Sequence, residues 1–156
     1  MTDPATEPAN ALHDARDTLH GVVVDVLTAL GWDAGRAGRW PLRQPVAPCG
    51  WVDVPTLATV TDGTTTAVVA TFPVLFAVNG DDQAQVQQQD QLLSYGWDQL
   101  GAASQGVQRV RVLTAGPADI DVGGPVLRGV VFSVQVRLLV RTLCPLTITS
   151  DLQTTP

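Results

Sequence analysis

With 156 residues, 45% of them hydrophobic and 15% charged, the chain has material for one folded domain with a real core and too little length for two. A net charge of −6 lacks the basic footprint that gripping nucleic acid requires, and no apolar run approaches the ~20 residues that span a bilayer. A globular surface this poor in charge favours association with other chains.

Residues 1–9 read as a disordered lead, 10–145 as a single domain and 146–156 as a tail. The opening "MTDPATEPAN" is acidic and proline-bearing, unlike a signal peptide, so the expected compartment is cytoplasm-like. From Asn10 the apolar residues Leu12, Ala15, Leu19, Val22, Val23, Val26, Leu27 and Leu30 recur at helical spacing, and Gly31 follows where a C-cap glycine belongs. A helix is expected over 10–30. "GWDAGRAGRWPLRQPVAPCGWVDVP" then shows no period and reads as one long connection. Its Trp32, Trp40 and Trp51 are expected to pack against the body or a neighbour.

In "TLATVTDGTTTAVVATFPVLFAV", Asp62-Gly63 signals a two-residue hairpin turn that sets Leu57 opposite Val68 and Thr59 opposite Thr66. Leu57, Val68, Ala70, Phe72, Val74, Phe76 and Val78 form the core face, with Val69, Leu75 and Ala77 on an outer face apolar enough to be covered. Pro73 has no N–H to give a ladder and suggests a bulge or an edge. Asp81 and Asp82 follow, ahead of a glutamine-rich helix over 81–103. One of them caps that helix, a far commoner role for adjacent aspartates than a catalytic pair. Val86, Leu93, Trp97 and Leu100 are its expected stripe, with Leu92 and Gln89 beside it.

"VQRVRVL" (107–113) reads as a strand, and "ADIDVGGPV" as a loop with its tip at Gly123-Gly124-Pro125. In "RGVVFSVQVRLLVRTLC", Val130, Phe132, Val134, Val136, Leu138 and Val140 alternate inward while Ser133, Gln135, Arg137 and Arg141 face out. The expected fold is therefore α+β: a mostly antiparallel sheet of about four strands with two helices on its core face. The outer face would carry Arg109, Arg111, Arg137 and Arg141 among apolar neighbours. All nine basic residues are arginine, and of the fifteen acids only Glu7 is not aspartate. Arginine makes flat, bidentate contacts with carboxylates, so an interface with aspartates of another copy is expected there, against a solvated face.

Chemistry is harder to find. His13, Asp17 and His20 share one helix face, but away from the apolar stripe nothing would close a coordination sphere. "GGPVLRG" lacks the strand–loop–helix setting of a phosphate cradle. Asp119 and Asp121 are expected to solvate their loop or face a partner. Cys49 and Cys144 fit no metal spacing; free thiols and a single disulfide both stay open. No cofactor, metal or catalytic residue is assigned.

The order of a long amphipathic helix, a Trp/Pro loop, a hairpin ending in "FPVLFAVNGDD", a second helix and the hairpin "RVRVLTAGPADIDVGGPVLRGVVFSVQVRLLV" resembles the tail terminator family of long-tailed bacteriophages over roughly residues 10–145. The resemblance implies a structural virion protein, not an enzyme. Such a protein forms a homo-oligomeric, hexameric ring at the neck that ends polymerisation of the tail tube protein and meets the head-side connector or stopper. Genomic DNA passes through it without specific binding, which suits an acidic lumen. It implies assembly in the host cytoplasm, with no membrane and no cofactor. The candidate interface is Arg109, Arg111, Arg137, Arg141, Trp40, Asp119 and Asp121, with loops 32–48 and 116–125 reaching the tube or connector. Another neck component (head-closure or tail-completion) reads nearly as well. A small ligand-binding or enzymatic α+β domain and a toxin–antitoxin or other host dimer module are the readings of a different class.

Overall fold

The computed structural model describes residues 8–62, 65–103, 110–124 and 126–138. Helix α1 runs Pro8–Ala29 and buries Ala15, Leu19, Val22, Val23, Val26 and Leu27 of the expected stripe; Ala11 is buried in addition, while Leu12 and Leu30 are only partly buried against the same core. Its end is closed by Gly31 at φ 76°, whose N–H donates to the Thr28 carbonyl at 3.0 Å while that of Trp32 donates to Leu27 at 2.8 Å. This paired pattern satisfies two orphan carbonyls and turns half-buried Trp32 back onto the core.

Six strands form one sheet, not about four. The two additions, β1 (Ala37–Gly38) and β2 (Cys49–Val52), lie in the stretch expected to be an unbroken connection. A short 3-10 turn, Ala34–Arg36, precedes β1 and is capped by the Asp33 carboxylate, which accepts from the Gly35 N–H at 2.8 Å. Both strands are too short for periodicity to show, yet all four residues of β2 are buried. Gly50 is required there, because a Cβ at that position would sit 2.6 Å from the Phe76 ring.

Strands β3 (Thr56–Asp62), β4 (Thr65–Ala77), β5 (Val110–Ile120) and β6 (Leu127–Leu138) make the rest of the sheet. β4 is its spine. One edge pairs antiparallel with β6 from Val68↔Leu138 to Ala77↔Gly129; the other is shared between β3 on residues 65–71 and β2 on residues 74–77. Pro73 is thus neither at an edge nor in a bulge. It stands where one neighbour ends and the other begins, pairs with Ser133, and accepts from the Asp53 N–H at 2.8 Å. N–H and C=O of one strand residue point to the same side, so its missing donor faces that gap.

The β3–β4 hairpin pairs Leu57 with Ala70 and Thr59 with Val68, and the last pair is Asp62↔Thr65. This moves the expected register by two residues; Gly63 of the expected turn lies outside the described residues. A two-residue shift keeps every side chain on its expected face. Leu57 is nevertheless exposed, because β3 lies at the end of the sheet beyond helical cover.

Helix α2 (Asp82–Ala103) begins as expected: Asp81 is the cap, its carboxylate accepting from the Ala84 N–H at 2.8 Å. Asp81→Ala is expected to lose about 1 kcal/mol of stability in urea unfolding. Asp82→Ala should be nearly silent, since Asp82 is 94% exposed and only 3.6 Å from Arg128 as a surface pair.

The buried stripe of α2 is rotated from the expected one, sharing Leu100 with it, and Leu93 is only partly buried. Gln89, Leu92, Gly96 and Leu100 face the core, while Val86 and Trp97 are half exposed. Gly96 determines this: a Cβ there would run into the Phe132 ring, so the helix settles with its glycine against that aromatic. Gln89 fastens the same face by donating to the Gly129 carbonyl at 2.8 Å.

β5 continues through Gly116-Pro117-Ala118 to Ile120, residues expected to belong to a loop; its irregularity is a bulge between Val112 and Thr114. The chain turns after Ile120, with Gly123 at φ 84°; Pro125 of the expected tip lies outside the described residues. Both helices pack on one sheet face around Phe72, Phe76, Phe132, Leu19 and Leu92, with Phe76 and Phe132 edge-to-face at 5.9 Å. Val130, Phe132, Val134, Val136 and Leu138 are buried as expected; Val140 lies outside the described residues.

Candidate assembly interface on the outer sheet face

Strand alternation places a row of side chains on the face opposite the helices. Across it run Val60 on β3, Ala67 and Val69 on β4, Gln135 and Arg137 on β6, and Arg111 on β5, in the registers Val60↔Ala67, Val69↔Arg137 and Arg111↔Gln135. They line one open depression of about 420 Å³. Its floor is apolar, with Val69 buried under its neighbours and Val60 45% exposed.

Arg111 and Arg137 form the polar side, and among the described residues no carboxylate pairs with either. Two guanidinium groups beside exposed valine make a surface that can take a carboxylate and bury apolar area in one contact. Of the four arginines expected on this face, these two are brought together; Arg109 and Arg141 lie outside the described residues.

The other candidate residues sit elsewhere. Asp119 is in β5 on the helix side, opposite Arg128 in the register, so it cannot meet these arginines within one copy. Asp121 is in the β5–β6 turn, where its carboxylate accepts from the Gly123 N–H at 3.0 Å. Trp40 lies at the far side of the sheet, 58% exposed, with one ring face 4.2 Å from the Arg16 guanidinium.

Parts of the stretches 32–48 and 116–125 lie together. Leu42 and Ala47 from one, Val122 from the other and Leu127 at the start of β6 pack against Cys49, Trp51, Ala77 and Ile120, covering part of the outer face of the sheet as its apolar pattern required. Between the loops lies a second depression of about 390 Å³, lined by Arg43, Pro45, Val122 and Gly124 among others. Burial pushes the Cys49 thiol above its ordinary value, against a backbone hydrogen bond at Ala77 and nearby Arg36. Cys49 is thereby a core residue; Cys144 lies outside the described residues.

The histidine face of α1 is occupied by protein contacts. His13 pairs with Asp17 at 3.2 Å, Arg39 reaches the other Asp17 oxygen at 3.0 Å, and His20 lies 3.4 Å from the Ala37 carbonyl. Among the described residues no cluster of His, Cys, Asp or Glu has the makings of a metal site.

Sequence reading missed Arg16. It is 5% exposed, within the apolar stripe of α1, and donates to three main-chain carbonyls: Arg39 at 2.7 Å, Val52 at 2.9 Å and Asp53 at 3.2 Å. Burial presses its pKa below the ordinary arginine value, opposed by the nearby Asp53 carboxylate. The signal was its place four residues after Leu12 and three before Leu19, on the core side of the helix.

Compared with models of known protein families and with curated proteins, the sequence matches none.

Proposed function

We propose that this chain is a structural virion protein, a phage tail terminator. Copies of it form a ring, six in the family it resembles, that ends the tail tube and joins it to the head-side connector. One observation carries the reading: an outer sheet face with two arginines, no carboxylate partner among the described residues, and exposed valine beside them. A cyclic ring is built from head-to-tail contacts, each copy presenting two different surfaces, and this face suits one of them. The joined loops around Arg43 and Val122 supply a separate end surface for the tube or the connector. In this reading the neck of the virion is where the protein works, and DNA crosses the ring without being held. A head-closure or tail-completion role would use the same surfaces and differ only in the partner.

The test is the mass of the purified chain in solution, alone and with tail-tube protein. A ring, or a monomer that caps tubes, is the expected result; a stable dimer indifferent to tubes overturns it. Arg137→Ala should weaken assembly at least about tenfold, roughly 1.4 kcal/mol, with unfolding unchanged. Assembly equal to wild type would remove this face from the interface.

A further inference from the structure

The flank of α2 that the core leaves uncovered is the mirror of the outer sheet face. Val86, Asp90 and Trp97 lie at i, i+4 and i+11, on one side of the helix. Val86 and Trp97 are 50% and 51% exposed, and Asp90 is exposed between them. No described cation pairs with Asp90. The sheet face offers the opposite arrangement, Arg111 and Arg137 beside Val60, Ala67 and Val69. One surface is apolar with a carboxylate, the other apolar with guanidinium groups.

They lie on opposite sides of the domain, since α2 packs on the inner face of the sheet. One copy therefore cannot bring them together. Two copies can, and because the surfaces differ, the joined pair leaves one of each free for the next copy.

We infer that the α2 flank of one copy docks on the arginine-bearing sheet face of another, with Trp97 and Val86 over the valine floor and Asp90 against Arg137. The occupant of the face is thus a second copy of this chain. This deepens the ring reading by naming both halves of the junction, and it rests on that reading only for the closure of the ring.

Complementary charge exchange tests it. Asp90→Arg and Arg137→Asp are made separately, each checked by circular dichroism, and their masses followed by sedimentation over a wide concentration range. Wild type is expected to associate, and each variant alone to stay at the mass of one copy, with affinity down at least about a hundredfold. Mixed in equal amounts, the two should assemble again, since every junction then pairs one acid with one arginine. Loss of folding alone cannot produce recovery on mixing. Trp97→Ala should also weaken association, in the wild-type chain and in the mixture of charge variants alike.

A wild type that keeps the mass of one copy throughout overturns the contact, as does association that neither charge reversal disturbs. In the latter case the ring reading survives with a different junction. Recovery on mixing by a protein that ignores tail-tube protein leaves this contact standing and removes the terminator.

Discussion

Replacing Gly129 with alanine is expected to cost about 3 kcal/mol or more, a large share of the 5–15 kcal/mol that holds a domain of this size together. Gly129 sits in β6 between Ala77 of β4 and Ala118 of β5, at the last pair of the β4–β6 ladder. A methyl group there would overlap the Phe76 carbonyl oxygen and stand 2.8 Å from Cδ1 of Ile120. The isoleucine could change rotamer; a main-chain carbonyl in the spine strand has nowhere to go without parting β4 from β6. The disturbance would spread, because the Gly129 carbonyl is also where Gln89 anchors α2. Urea unfolding measures the loss, with Gly116→Ala as control, since a Cβ at Gly116 meets nothing within 4 Å. If the two variants unfold alike, the close approach at Gly129 is not a constraint.

Gly129 also illustrates what the sequence did and did not disclose. Alternation over residues 130–138 identified β6 and its inward side chains, because a half-buried strand must alternate. Helix α1 was legible for the parallel reason, with a long stripe and a closing glycine. What escaped were features decided by contacts between elements. Which face α2 buries depends on Gly96 meeting Phe132 and on Gln89 finding a carbonyl, and a hydropathy stripe drawn through Val86 and Trp97 reports neither. β2 is four residues long, so its burial has no period to display. The hairpin register fell two residues away from the Asp-Gly signal, and the continuation of β5 through Gly116 and Pro117 overrode residues that locally favour a turn.

For the candidate interface, strand alternation correctly put Arg111 and Arg137 on one outer face. It could not tell that Asp119 falls on the other side, because the bulge after Val112 reverses which residues of β5 face outward. Val86 and Trp97, apolar residues of α2 that their own domain leaves half exposed, are the kind of surface a neighbour covers.

Arg16→Met is expected to lower stability by about 3 kcal/mol and to loosen the segment that leads into the loops proposed to dock. Methionine keeps the stem's packing in the stripe of α1 but removes every donor. The Arg39, Val52 and Asp53 carbonyls would then lack the guanidinium, at about 1 kcal/mol or more for each that water cannot reach. The charge also lies 4.2 Å from the Trp40 ring and 5.4 Å from that of Phe72, contacts that lysine could not reproduce in plane. Arg16→Lys should therefore fall between methionine and wild type. The side chain ties α1 to the end of β2 and to residues 39–40 at once, so its loss has a local reading as well as a global one. With no lysine in the chain, trypsin can cut only after arginine, and Arg39 and Arg43 flank the freed segment. Under native conditions cleavage there should accelerate well before the whole domain opens. Unchanged stability together with unchanged cleavage would mean that water or a neighbouring donor replaces the guanidinium, and that the buried arginine holds nothing in place. The expected loosening has a consequence for the proposed role: Arg39 is bound to Asp17 at 3.0 Å, and the chain from there to Leu42 and Ala47 builds the loop end of the sheet. An Arg16→Met ring should still form through the arginine face yet dock its tube or connector poorly, which would separate the two surfaces by function.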